Sequence, residues 1–262
     1  MARIISKGSK NTMEYQMRNK LLPVIAFLSM AMALNGCTTV ANKDPLEGIN
    51  RGVYKFNDVA DKAVIKPVAG AYKAVTPVPV RSGINNFFTN LGTLVTTVNQ
   101  LLQFKFNEAA DSAGRFVINS TFGIAGLIDV ASMDGVKQYN EDFGKTLGHY
   151  GVGDGAYLVL PFLGPSTVRD TGGLVVDSYA FDPLGYIDSP SVRNSLVATK
   201  FLDKRAQYLP ASDLVDDAAL DPYVFMRDAY LQRRHLQING KPDTDENFEE
   251  YDSQDTAPAS AK

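Results

Sequence analysis

The stretch "SGINNFFTNLGTLVTTVNQLLQF" carries no charge between Arg81 and Lys105. Ile84, Phe87, Phe88, Leu91, Leu94, Val95, Val98, Leu101 and Leu102 recur three or four residues apart and so fall on one helical face. Asn85, Asn86, Asn90, Thr93, Thr96, Thr97, Asn99 and Gln100 fill the other face. A helix here runs for roughly six turns. Helix faces in water ordinarily carry Lys and Glu, so the neutral polar face needs a reason. Two arrangements supply one: a central core helix whose Asn and Thr side chains bond to neighbours, or a helix set between lipid and a polar passage.

The next segment, "NEAADSAGRFVINSTFGIAGLIDVASM", begins as a helix at Asn107 and is uncharged from Phe116 to Ile128. Thirteen residues of helix measure ~20 Å, too short to span a bilayer but long enough to enter one leaflet. Gly123 and Gly126 permit a tight hairpin, either buried in a soluble core or making a second membrane contact. Upstream, "DPLEGINRGVYKFN" opens a helix with Asp44 as N-cap, Pro45 in the first turn and Glu47 closing a capping-box pattern. Ile49, Val53, Phe56 and Ala60 follow at helical spacing, Pro67 ends or kinks that helix, and "TPVPV" reads as an extended connector. "AYLVLPFLG" suits a short strand or a buried extended piece, and "DPYVFMRDAYLQRRHLQING" a closing helix. Asp221 caps that helix, Arg233, Arg234 and His235 suit its C-terminal dipole, and Gly240 stops it. The fold class is therefore mainly α, a single domain of several helices over residues 44–240.

Residues 1–36 are different material. Arg18 and Lys20 precede the charge-free run Leu21 to Leu34, ~21 Å as a helix, the pattern of a secretory signal. It ends in "LNGC", which resembles a bacterial lipobox through Leu34, Gly36 and Cys37; Asn35 departs from the usual Ala or Ser. Cys37, the only cysteine, cannot form an intramolecular disulfide or a Cys-rich metal site; the lipobox pattern reads it as a lipid attachment point, the alternative being a free buried cysteine near an ordinary signal peptide. Thr38 follows it, where Asp would argue for retention in the inner membrane. Residues 37–43 form a short tether. Residues 241–262 hold seven acids and two lysines with few large apolar groups, and read as a disordered, solvated tail.

Five basic residues and one acidic residue precede Cys37, which leaves 21 basic against 28 acidic in the mature chain and a net charge of -7. That balance gives no pull toward nucleic acid. His149 and His235 are the only histidines, too few for ordinary zinc chemistry. No G-x-S-x-G elbow, Walker loop, H-E-x-x-H or EF-hand pattern occurs. Ser166 in "GPST" reads as a turn serine, and His149 as the hydrogen-bond partner of Asp142 or Asp154. Glu141–Asp142 and Asp216–Asp217, adjacent in sequence, read as solvated pairs. The residues name no catalytic group, metal or cofactor.

Three segments, "DPLEGINRGVYKFN", "TLGHYGVGDGAYLVLPFLGPSTVRDTGG" and "DPYVFMRDAYLQRR", resemble the MlaA (VacJ) lipoprotein family from about Asp44 to Gly240. The resemblance implies an outer-membrane lipoprotein, anchored on the periplasmic side. It implies a ring of helices in the inner leaflet round a central amphipathic channel. Phospholipids strayed into the outer leaflet would be removed and passed to a periplasmic lipid-carrier protein, with trimeric porins as partners and no covalent chemistry. On that reading Asn85, Asn90, Thr97 and Gln100 line the channel. Phe122, Ile124, Leu127 and Ile128 form a membrane-inserting hairpin. The alternatives are a non-transporting scaffold that braces porins and a membrane-bound lipase.

Overall fold

The computed structural model describes residues 44–240. The signal segment, Cys37, the tether and the acidic tail lie outside the described residues.

Helix α1 (Glu47–Ala60) starts without a side-chain cap. Asp44 is not its N-cap: its buried carboxylate accepts from Asn50 Nδ2 at 2.8 Å and from the Tyr223 hydroxyl. A long-range hydrogen bond from the closing helix holds the side chain away from the first turn. The polarity of α1 is also reversed, since Ile49 and Phe56 are exposed while Asn50 is buried. Asn50 and Asn57, two turns apart on one face, meet the short strand β1 (Tyr157–Leu160). Asn50 Nδ2 donates to Tyr157 O and its Oδ1 accepts from Val159 N, both at 2.9 Å. Asn57 bonds Leu160 O at 2.9 Å and Phe162 N at 2.8 Å. β1 pairs antiparallel with β2 (Gly164–Thr167), Tyr157 opposite Thr167 and Leu160 opposite Gly164.

Pro67 does not stop the helix. A π-helical turn, Asp61–Ile65, precedes α2 (Lys66–Val75), and this wider turn accommodates the missing proline N–H. The connector shrinks to Thr76 and Pro77, and α3 (Val78–Leu102) incorporates the remaining prolyl residue. The chain reverses through residues 103–105, with Phe104 in the left-handed region, into α4 (Phe106–Thr121), which packs along α3. A turn follows, then α5 (Val130–Met133), capped by Asp129, and α6 (Phe143–His149), capped by Asp142.

After the two strands come α7 (Val168–Val176), a π turn (Asp177–Phe181), a 3-10 turn (Pro183–Tyr186) and α8 (Pro190–Ala218). α8 spans 29 residues, but its apolar residues keep no clean helical rhythm, which is why periodicity alone did not reveal it. α9 (Pro222–Asn239) begins as read, with Asp221 Oδ1 accepting from Tyr223 N and Val224 N. Among the described residues, twenty buried side chains are polar or charged and ten are hydrophobic. A small apolar cluster of Tyr157, Val159 and Tyr223 joins α1, β1 and α9. Elsewhere buried polar side chains outnumber the apolar ones, which include Phe88, Val176 and Leu184.

Candidate functional site

The polar interior is built on α3. Asn90, Thr93, Thr96, Asn99 and Gln100 are its buried residues with Phe88, while the apolar residues of the same helix are half-buried or exposed. Asn90 Nδ2 donates to Ser120 Oγ at 2.9 Å. Thr96 Oγ1 accepts from Glu141 N at 3.2 Å. Asn99 Nδ2 donates to Asp177 Oδ1 at 3.0 Å, and Asn99 Oδ1 accepts from Thr146 Oγ1 at 2.8 Å. Gln103 Nε2 reaches Glu141 Oε2 at 3.1 Å and Thr146 Oγ1 at 3.0 Å. Burial pushes the Asp177 carboxyl up to about 6, against the N–H of Phe143 and the Asn99 amide.

Beside this seam sits a charge lock made from the glycine-rich motifs. Arg234 forks onto Asp142 at 2.7 and 2.9 Å and onto Asp170 at 2.7 and 2.9 Å. It therefore does not serve the C-terminal dipole of α9; buried carboxylates claim it. Burial opposes the charge on Asp142 and Asp170, but the bonds and charge of Arg234 hold both carboxyls below the usual range. Gly173 and Gly144 permit the close approach: a Cβ on Gly173 would lie 2.3 Å from the Gly144 nitrogen. Glu141 and Asp142 are thus internally partnered, not solvated, Glu141 pairing with Lys105 at 3.3 Å. The side chains of Asp216 and Asp217 lie outside the described residues.

His149 meets neither Asp142 nor Asp154. It is exposed and packs edge-on to Tyr150, while Asp154 pairs with Arg169 at 2.5 Å. Ser166 sits in β2, not a turn, and its Oγ lies 2.9 Å from Thr171 Oγ1. Among the described residues no group of His, Cys, Asp and Glu is placed to hold a metal, and no helix is long and apolar enough to cross a membrane.

Two cavities flank the start of α3. The first, about 60 Å³, is lined by Asn85, Asn90, Thr93, Arg115, Asn119 and Asp129 among others. Arg115 Nη2 reaches both Asp129 oxygens at 2.8 and 2.9 Å, and Asn119 Nδ2 reaches Oδ1 at 2.9 Å. Burial opposes the Asp129 charge, but bonds from Ser132 and Asn119 and the Arg115 charge hold its carboxyl below the usual range. The second cavity, about 220 Å³, lies between α3 and α8, and Asn85 lines both. Asn85 Oδ1 accepts from Gln207 Nε2 at 3.1 Å across that boundary.

The structure thus brings Asn85 and Asn90 together at one cavity. Thr97 and Gln100 line neither: Thr97 Oγ1 donates to Thr93 O at 2.8 Å, and Gln100 is 0% exposed with neither amide atom bonded. The turn after α4 projects Phe122, Ile124, Leu127 and Ile128 at 74%, 63%, 43% and 41% exposure. Ile124, Ala125 and Gly126 occupy the left-handed region in succession, which folds the turn back on α3. There Asn86 Nδ2 donates to Leu127 O at 3.1 Å, and Gly126 lies so close to Asn90 that a Cβ would approach it to 2.6 Å. Arg81 and Asp203, which line the second cavity, went unnoticed in the sequence. Arg81 marked only the edge of the uncharged run, and Asp203 lies in the unrhythmic α8.

The family model described as MlaA lipoprotein matches residues 42–237. The Escherichia coli protein named "Intermembrane phospholipid transport system lipoprotein MlaA" is 36% identical over 229 residues, 86% of this chain and 90% of its own. The Haemophilus influenzae protein of the same name is 34% identical over 233 residues, 84% and 92% of the two chains. An uncharacterized protein of Rickettsia typhi is 39% identical over 204 residues, 78% and 80%. A solved structure described as "Structural basis for maintenance of bacterial outer membrane lipid asymmetry" superposes with a TM-score of 0.67 at 37% identity, covering 76% of this chain and 100% of the other.

Proposed function

The chain belongs to the MlaA lipoprotein family, and from that premise we propose that it removes phospholipids misplaced in the outer leaflet of the outer membrane and passes them to a periplasmic carrier, so preserving lipid asymmetry. The observation that carries this reading is the reversed polarity of the fold. Among the described residues, polar and paired charged side chains outnumber apolar ones in the interior, while many Phe, Leu and Ile stand on the surface. Water would disfavour that surface; acyl chains solvate it.

In this reading Cys37 carries the acyl anchor and the helices form a ring in the inner leaflet. Phe122, Ile124, Leu127 and Ile128 insert beside the anchor. The lipid anchor holds the chain at the membrane surface, and the inserted apolar turn adds buried apolar area to that hold. Asn85 and Asn90 line the start of the headgroup path, and Thr97 and Gln100 continue the polar side of α3. Neutral polar groups suit a conduit because they solvate a zwitterion without trapping it. Trimeric porins would seat the ring in the membrane. No covalent step enters the cycle.

Deletion of the gene tests this. Transport predicts phospholipid in the outer leaflet and sensitivity to detergent. Intact asymmetry with altered porin assembly would instead establish a scaffold. Photocrosslinkers placed along residues 84–128 should capture phospholipid in cells.

A further inference from the structure

The second cavity carries side chains of both charges on its wall. α3 contributes Arg81, whose Nε is enclosed and has no hydrogen-bond partner. α8 contributes Asp203, a residue 3% exposed. Neutral donors hold each Asp203 oxygen: the Tyr72 hydroxyl at 2.8 Å on Oδ1 and Gln207 Nε2 at 2.7 Å on Oδ2. No ion pair joins Arg81 or Asp203 to another described residue. A carboxylate accepts about four hydrogen bonds, so Asp203 retains acceptor capacity, and Arg81 retains a donor. Two opposite charges on the wall of one cavity, neither neutralised by an ion pair, are an expensive arrangement for a merely structural space.

We propose that this cavity binds the zwitterionic headgroup of a phospholipid, with Arg81 on the phosphate and Asp203 on the ammonium. The assignment rests on the transport reading and adds a headgroup preference to it. At ~30 Å³ per water-sized group, 220 Å³ holds about seven such groups, enough for a phosphate, an ammonium and the carbons between them. Ser82 and Asn85 offer neutral hydrogen bonds, and Val78 and Ala206 tolerate the carbons. An anionic glycerol headgroup has no cation for Asp203 and brings its phosphate to a like charge, so it is rejected by repulsion as well as by missing contacts. The Asn85–Gln207 bond sits where this cavity meets the smaller one. A headgroup leaving Arg81 would meet the polar seam next.

The test uses the full lipidated chain in mild detergent, offered vesicles of equal phosphatidylethanolamine and phosphatidylglycerol, with the retained lipid counted by mass spectrometry. Wild type should enrich the ethanolamine lipid. Asp203→Asn should lower that ratio about tenfold, as loss of one charge-assisted contact predicts, and Asp203→Glu should restore it. Arg81→Gln should reduce retention of both lipids. Soluble phosphoethanolamine should compete with lipid for the wild-type protein, and glycerol 3-phosphate should not, an arm that needs no variant to fold. Retention in the vesicle ratio, or equal competition by the two soluble phosphates, overturns the headgroup assignment while leaving transport standing. Uptake of soluble phosphoethanolamine without displacement of lipid also overturns it, pointing to a free metabolite. Retention of no phospholipid at all removes the transport reading and the headgroup assignment with it.

Discussion

Asn50 and Val159 lie 109 residues apart, yet the Val159 N–H donates to the Asn50 Oδ1 at 2.9 Å as it would to a neighbouring strand. The side-chain amide of α1 completes the otherwise unpaired edge of β1, because Asn50 Nδ2 also donates to Tyr157 O. One amide thereby joins the first described helix to the sheet and, through Asp44 and Tyr223, to α9.

Asn50→Asp keeps the shape and loses the donor, setting an acceptor against Tyr157 O and the Asp44 carboxylate. The expected cost is ~3 kcal/mol, read as a fall in the midpoint of thermal unfolding in detergent.

Arg234→Met leaves the Asp142 and Asp170 carboxylates without the guanidinium that both bind. Destabilisation of ~3 kcal/mol follows, because Asp142 loses its guanidinium while Asp170 keeps only Arg169, at 2.9 Å. Arg234→Lys should recover only part of it, since an ammonium cannot fork onto both acids. Denaturant titration separates the two variants.

Asp177 makes stability depend on pH. Its carboxyl, raised by burial to about 6 from 3.8, binds a proton more tightly in the folded state. Its contribution is therefore fully present below pH 3.8 and is lost as pH rises through about 6. Asp142 and Asp170, held low, act in the opposite sense and lose their contribution as pH falls below the usual carboxylate range. Comparison with Asp177→Asn isolates the effect. Relative to that variant, the wild type should lose about 2 kcal/mol between pH 4 and pH 7, and a flat difference would contradict it.

Phe122→Glu with Ile124→Glu should leave the fold unchanged, because both side chains are exposed. Each apolar side chain contributes ~1.5–3 kcal/mol on full burial, so vesicle flotation of unacylated protein should weaken about a hundredfold or more.

Cys37→Ser removes the expected acylation site. The variant should lose its palmitate label and shift toward the soluble periplasmic fraction, yet keep residual membrane affinity through the 122–128 turn. A labelled variant would refute the anchor.

The sequence by itself determined the mainly helical class, the cap and start of α9 and an extended segment at "AYLVLP", because these depend on local spacing and on residues within a turn or two. It also placed the uncharged polar face of α3, but left open whether that face met solvent, lipid or protein. Only the tertiary structure decided that. Asn90 meets Ser120, 30 residues on, and Asn99 meets Asp177, 78 residues on, so no short window of sequence contains the partners that bury them. The same holds for Asp44, diverted from capping by Tyr223, and for Arg234, drawn from the helix terminus by Asp142 and Asp170. Periodicity records that a helix has two faces; which face turns inward depends on what the rest of the chain, and the medium around it, can solvate.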